Sequence, residues 1–416
     1  MLALVDCNNF YASCERVFNP KIENLPVIVL SNNDGCVIAR SNEAKLLGIK
    51  MGSPAFKIKK LIDENNVQVF STNFSLYGDM SKRVMNILSS EVLKMEVYSI
   101  DEAFLDFFED SSIQRGIFIR EKIKKWTGIP VSIGIAPNKT LSKVASHIAK
   151  KKTNSGVFKI IDDYQVSKLL QSLSVSDLWG IGRKNSKKLR DFGIVSAFDL
   201  RSCRSSWIRR NFSIKLVKLQ SELNGNIEFP LELVKKRKKN ICTSRSFSKD
   251  IYDFSILREA VANYANKCAQ KLRKEKSCCK YVGVFLNTNY FKSSSRQYHP
   301  YKIIKLIEPS SDSMRIVSVA IQLLKEIYKS GYSYKKAGVI VGENISRDQI
   351  QLSLFASKNH LRSNKINLTV DKINSLIGKD KVRLAVQGNG QRIKLGQSRL
   401  SPCYTTNFND LLKVFI

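Results

Sequence analysis

Residues 98–106 read Tyr-Ser-Ile-Asp-Glu-Ala-Phe-Leu-Asp, and two adjacent carboxylates, Asp101 and Glu102, interrupt a period-two apolar pattern that resumes after them. Such alternation marks a half-buried strand, so the interruption puts two anions at a strand end. Charges of one sign at that spacing repel unless a cation neutralises them. Asp6 adds a third carboxylate in a similar setting, closing the apolar run 2–5 before the polar and aromatic stretch 7–12. Three carboxylates at strand ends make a candidate divalent-metal site. Hard oxygen ligands suit Mg²⁺ or Mn²⁺, and a paired-metal site supports in-line displacement at phosphorus. A lone Asp-Glu pair would read more simply as an ion-paired hairpin tip, so the rest of the chain has to decide.

The flanking periodicities predict a strand at 2–6 and a helix at 77–95 with Met80, Val84, Ile87, Leu88 and Val92 on one face. They continue with a hairpin of 97–100 and 103–107, a helix at 113–126 and a strand at 131–136. That order is β-α-β-β-α-β, the ferredoxin-like split unit, in which the first strand lies beside the third. Asp6 can therefore approach Asp101 and Glu102 across the sheet. A long insertion after the first strand holds a strand at 27–30 and a short helix at 41–47 stopped by Gly48. Further on, a Gly-Ile-Gly turn from Gly180 to Gly182 precedes a helix at 184–192 that ends at Gly193. Exposed amides and a helix N-terminus at such a turn can hold phosphate without reading bases, and Arg183, Lys184, Lys187, Lys188 and Arg190 strengthen that reading.

Charge narrows the partner. The 416 residues carry 69 Lys plus Arg against 36 Asp plus Glu, a net charge of +33, while 43% of residues are hydrophobic. The chain can build real cores, and at roughly 100–200 residues per domain it should form two to four of them. Basic residues recur along the whole length, at 57–60, 150–152, 183–190, 235–239 and 271–276. Each run alone would be a solvated helix face, but together they suit an extended polyanion such as a nucleic-acid duplex. The run 235–239 reads as an interdomain linker, because like charges at that density resist packing. After it, strands at 241–248, 281–287, 302–306 and 337–342 interleave with helices at 254–274 and 311–330, a second basic α+β domain. Beyond Glu343 the pattern loosens, and Gln-Leu-Ser-Leu-Phe at 351–355 stands out as an apolar peptide suited to a partner's groove or to an edge strand. No run reaches membrane-spanning length and the N-terminus lacks a secretory pattern, so a cytoplasmic, nucleoid-associated protein is expected. Nine scattered Cys without a Cys-x-x-Cys pair, with only three His, give neither a disulfide framework nor a zinc site.

Several long stretches, in order, resemble the Y-family (translesion) DNA polymerases, and within them the UmuC-type catalytic subunit of bacterial DNA polymerase V. They are 6–15, 31–40, 98–104, 132–143 and 179–183, and the closing 400–406 and 410–412 favour the UmuC branch over the polymerase IV branch. The resemblance runs nearly end to end. It implies an α+β multidomain right-hand polymerase: a ferredoxin-like palm at 1–19 and 70–164, small fingers at 20–69 and a helix-hairpin-helix thumb at 165–234. A basic linker at 235–240, an α+β little finger at 241–345 and a C-terminal clamp- and partner-binding tail at 346–416 complete it.

By the same resemblance Asp6, Asp101, Glu102 and the backbone carbonyl of Cys7 would hold two Mg²⁺ (or Mn²⁺) for nucleotidyl transfer to a primer. Tyr11 would be the steric gate against the ribose 2′-hydroxyl. Lys45 would grip the triphosphate where relatives often use Arg, with charge but without the bidentate fork. Gly180, Gly182, Arg183 and Lys184 would bind the DNA backbone, and Gln351, Leu352, Leu354 and Phe355 the sliding clamp. Implied partners are primer–template DNA, deoxynucleotides, a UmuD′-type dimer and RecA, in error-prone synthesis during the SOS response. One departure concerns 150–156, where many relatives carry Lys-Pro-x-Gly followed by a triphosphate lysine. The register of Lys159 against that lysine is not fixed, so Lys159 stays outside the candidate site. Competing readings are a polymerase IV-like enzyme without a UmuD-type partner and a two-metal nuclease, which would need neither Tyr11 nor Lys45. A non-catalytic DNA-binding subunit is a third, against which three intact carboxylates argue.

Overall fold

The computed structural model describes residues 1–107, 110–234, 236–292, 296–350, 360–378, 380–389 and 396–412. The chain forms two compact units, Met1–Val234 with Gln397–Ile416, and Lys235–Gly396. The tail expected at 346–416 is thus divided between them. The peptide Gln351, Leu352, Leu354 and Phe355 lies outside the described residues.

In the first unit β1 (Leu2–Cys7) is the middle strand of a sheet that draws on most of the N-terminal half of the chain. Between it and the long helix lie α1 (Phe10–Val17), β2 (Val27–Leu30), β3 (Val37–Arg40), α2 (Asn42–Leu46), α3 (Lys59–Glu64) and β4 (Gln68–Ser71). There follow α4 (Phe74–Glu91), β5 (Met95–Val97), β6 (Glu102–Asp106), α5 (Ile113–Thr127), β7 (Val131–Ala136), α6 (Lys139–Lys152) and β8 (Val157–Lys159). The main sheet has the order β5-β6-β1-β7-β8, so the first and third strands of the split unit are neighbours, as expected. Strand alternation sorts the side chains. Ala3, Val5 and Cys7 with Val131, Ile133 and Ile135 enter a core shared with Tyr77, Met80, Val84 and Leu88 of α4 and Ile119 and Ile123 of α5. The other face, with Gly134, lies under α6.

Several predicted boundaries move, and those of two elements bear on the site. The long helix starts at Phe74, capped by the Asn73 side chain, and stops at Glu91. Val92 still packs on the core but from extended backbone, which is why the apolar stripe seemed to carry the helix onward. The hairpin strands close at Val97 and reopen at Glu102, leaving Ser99 to Asp101 in the turn. The insertion forms its own three-stranded sheet, β3-β2-β4, with a small core of Ile28, Leu30, Val37, Ala44, Ile49, Ile62 and Val67. Ser41 caps α2 by accepting the Ala44 N–H. A helical portion follows: α7 (Asp163–Ser172), α8 (Arg183–Asp191), α9 (Ala197–Ser202), α10 (Ser205–Asn211) and α11 (Ile214–Leu223).

The second unit is built from β9 (Asn240–Ile251), α12 (Phe254–Lys274), β10 (Ser277–Thr288), β11 (Tyr301–Ser310), α13 (Ser313–Ile327), β12 (Tyr334–Gly342), β13 (Ile345–Ser346) and α14 (His360–Leu376). Its antiparallel sheet, ordered β11-β10-β12-β9, packs against α12 and α13. The basic stretch before β9 is tied to this unit: Lys238 pairs with Glu275 at 2.6 Å, and Asn344 donates to the Lys238 and Lys239 carbonyls. Among the described residues no helix is long and apolar enough to cross a membrane.

Candidate active site

Asp6 and Glu102 are direct partners in the antiparallel β1–β6 ladder, and the Cys7 N–H donates to the Asp101 carbonyl at 2.8 Å. The topology therefore gathers all three predicted carboxylates at one strand edge. Asp101 accepts a hydrogen bond from the Ser99 hydroxyl at 2.5 Å within the turn. Like charges opposite one another are unfavourable, and two lysines of α6 offset them. Lys150 Nζ lies 2.6 Å from Asp6, and Lys143 Nζ lies 2.9 and 3.0 Å from the two Glu102 oxygens. Burial holds the Glu102 carboxyl above the usual range. Lys143 opposes that shift, while Asp6 and Asp101 add to it. Burial and the neighbouring Asp6 and Asp101 likewise push the Cys7 thiol up, so it stays protonated.

Lys143 and Lys150 were missed as site residues, although 143 and 150 stand two helical turns apart and so share one face of α6. With Thr140 and His147 they line a cavity of about 300 Å³ that also includes Asp6, Glu102, Asp177 and Trp179. Lys143 sits 4.7 Å from the centre of the Tyr98 ring and 5.6 Å from that of Trp179, and the Trp179 indole donates to the Tyr98 hydroxyl at 2.9 Å. The turn leading to the Gly-Ile-Gly hairpin is thereby fastened to the strand turn that carries Asp101.

A second cavity, of about 380 Å³, opens on the other side of Asp6 and Lys150 and is lined by Tyr11, Arg40, Lys45 and Asp101 among others. Pockets of this size take small ligands. Tyr11 stacks on Tyr77, with ring centroids 4.5 Å apart and planes at 14°, and meets the Phe74 edge at 6.3 Å. Lys45 donates to Asn9 Oδ1 at 2.6 Å and to Asn42 Oδ1 at 3.1 Å. Burial and the nearby Lys150 and Arg40 hold its ammonium below the usual lysine range, with Asp6 acting in the opposite sense. Cations gathered around one cavity form a seat that suits a polyanion. Arg40 belongs to that seat. Its signal was its place at the end of the stretch 31–40, where no role had been given to it. Lys159 instead bonds to Ser111, at 3.1 Å.

At the hairpin, Gly180 has a positive φ of 84°, and Gly182 is the N-cap of α8. Gly182, Arg183, Lys184 and Lys188 are exposed, and Lys188 donates to the Asn211 carbonyl at 2.6 Å.

No three His, Cys, Asp or Glu groups among the described residues are already gathered as a metal cage. The donor set nonetheless fits hard divalent ions: of its three carboxylates, Asp6 and Glu102 each already hold an ammonium group as a stand-in cation, and Asp101 is left beside them.

Comparison with known proteins extends this. The impB/mucB/samB family model matches residues 5–147, its C-terminal domain 238–354 and its HHH motif 165–194, and a domain of unknown function matches 364–414. Protein UmuC of Salmonella typhimurium is 41% identical over the full length of both chains. Protein ImpB of the same organism is 40% identical over 99% of each, and DNA polymerase IV of Bacillus velezensis 27% identical over 91% of each. Among solved structures, a Y-family DNA polymerase chimera of Dbh and Dpo4 superposes with a TM-score of 0.66 at 24% identity, covering 83% of this chain and 99% of that one. An insertion ternary complex of Dbh DNA polymerase gives 0.53 at 24% identity, with the same coverage of each chain. The chain belongs to the impB/mucB/samB family of Y-family polymerases. It is an error-prone translesion DNA polymerase with the right-hand fold of that class. Enzymes of this family generally work with divalent metal ions.

Proposed function

We propose that Asp6, Asp101, Glu102 and the Cys7 carbonyl hold two divalent ions, Mg²⁺ or Mn²⁺, for addition of deoxynucleotides to a DNA primer. The observation that carries this reading is the in-register pairing of Asp6 with Glu102 beside Asp101, each of the paired carboxylates already matched to an ammonium group. When bound, the ions favour ionisation of the primer 3′-hydroxyl and neutralise the triphosphate and departing pyrophosphate. The chain's own residues do the rest. Lys45 and Arg40 draw the triphosphate into the 380 Å³ cavity, and Tyr11 fills the space a 2′-hydroxyl would need. Lys143 and Lys150 balance the carboxylates until substrate and ions arrive, which spares the empty site the cost of unpaired anions. Gly180, Gly182, Arg183 and Lys184 hold the duplex backbone through exposed amides and charge.

Palm, fingers, thumb and little finger take the boundaries given above, while the tail is shared between the two units, which divide at 396–397. The enzyme works in the bacterial cytoplasm at the nucleoid, with a UmuD′-type dimer, RecA and a sliding clamp bound through Gln351, Leu352, Leu354 and Phe355. Incubation of a labelled primer–template with all four deoxynucleotides and Mg²⁺ tests the reading. The primer should lengthen, including past an abasic template position. Shortening of the primer instead would make the site a nuclease.

A further inference from the structure

The end of the described chain packs behind Tyr11, within the first unit. Leu400 forms a parallel bridge with Ser71, the last residue of β4. The Ser71 N–H donates to the Arg399 carbonyl at 2.8 Å, and the Arg399 N–H donates to Ser71 Oγ at 3.0 Å. Asn73, the N-cap of α4, donates through Nδ2 to the Ser401 carbonyl at 2.9 Å and the Pro402 carbonyl at 3.2 Å. Tyr404 stacks on Phe18 with ring centroids 4.9 Å apart.

One oxygen joins this tail to the gate. Ser401 Oγ donates to Glu15 Oε1 at 3.0 Å, and the Tyr77 hydroxyl donates to the same atom at 2.5 Å. Glu15 is 2% exposed, Tyr77 0% and Ser401 7%, so the relay is closed to water. Tyr77 is the platform on which Tyr11 stacks. Phe74, the other ring against Tyr11, follows directly on Asn73. Both supports of Tyr11 thus stand on the first turn of α4, and the tail grips that turn from two directions.

We propose that Ser401 is a positioning residue for sugar selection: it orients Glu15, which fixes Tyr77 and with it the gate ring of Tyr11. The inference rests on Tyr11 acting as the gate. A gate that works by overlap with a single hydroxyl is sensitive to small displacements of its ring. A buried carboxylate that loses one of two donors has no water to replace it, so the remaining contacts rearrange. The closing residues of the segment matched by the domain of unknown function are thereby part of nucleotide selection.

The test is single-nucleotide insertion by the full chain, with kcat/KM measured for a ribonucleotide and the matching deoxynucleotide. Ser401→Ala and Tyr77→Phe should each shift the ratio towards the ribonucleotide by roughly three- to tenfold, the loss expected from one buried hydrogen bond. The double variant should shift it no further than the larger single effect, because both act through Glu15. If Ser401→Ala fails to fold, Tyr77→Phe, which keeps the ring and its stack, carries the same test. A ratio unchanged by both variants, or effects that simply multiply, would overturn the relay. Tyr11→Ala is the control. If it alone relaxes selection, the gate stands and the relay falls; if it too leaves the ratio unchanged, the gate reading itself has failed.

Discussion

Glu102 and Glu15 are two carboxylates held above their ordinary range by burial, and their partners give them different consequences. Glu102 faces Asp6 and is balanced by Lys143, so its charge is usable when the site fills. Among the described residues Glu15 is paired with no cation, and the hydroxyls of Tyr77 and Ser401 are its hydrogen-bond donors. Its folded state binds a proton more readily than the unfolded chain does. That contribution to stability is full below the unfolded value and is lost as pH rises through the folded one. Compared with Glu15→Gln, the parent protein should therefore lose stability as pH rises above the ordinary glutamate range, read from urea midpoints. Parallel profiles for the two proteins would contradict it.

Asp6, Asp101 and Glu102 stood out as single residues because charge at a fixed place in an apolar strand pattern is conspicuous, whereas Tyr11 was picked out only through the family resemblance. Lys143 and Lys150 did not stand out. A lysine on a helix reads as solvated until a partner is known, and their partners lie 41 and 144 positions away in the sequence.

At the scale of elements, α6 carries both lysines, and its depth over the sheet is set by Gly134. A Cβ there would lie 2.1 Å from the Ser146 backbone nitrogen and 2.4 Å from the Ser142 carbonyl oxygen. Neither atom can yield without moving the helix. Gly134→Ala should therefore cost about 2–4 kcal/mol in a urea melt and lower primer extension by displacing Lys143 and Lys150. A loss below about 0.5 kcal/mol would mean that α6 is not seated as described. Elements with strong periodicity and clear punctuation were readable. The strand Val27–Leu30 and the helix Phe254–Lys274 occupy the predicted residues, and Gly193 follows α8 with a positive φ of 80°. The tail was not readable in this way. Residues 397–404 form no regular element and take their order from Ser71, Asn73 and Glu15, contacts across more than three hundred residues that no local pattern records.

For the whole molecule, a net charge of +33 spread along the sequence matches DNA as the substrate of this family. Binding of the duplex and chemistry on it should then be separable, because the first rests on many distributed cations and the second on three carboxylates at one strand edge. The most direct measurement is primer extension by the Asp101→Ala/Glu102→Ala double variant, with DNA affinity followed across salt concentration in parallel. Extension should fall by on the order of a thousandfold or more while affinity stays within about threefold and its salt dependence is kept. Extension at the parental rate, or a matching loss of DNA binding, would contradict the assignment of these carboxylates to the chemistry.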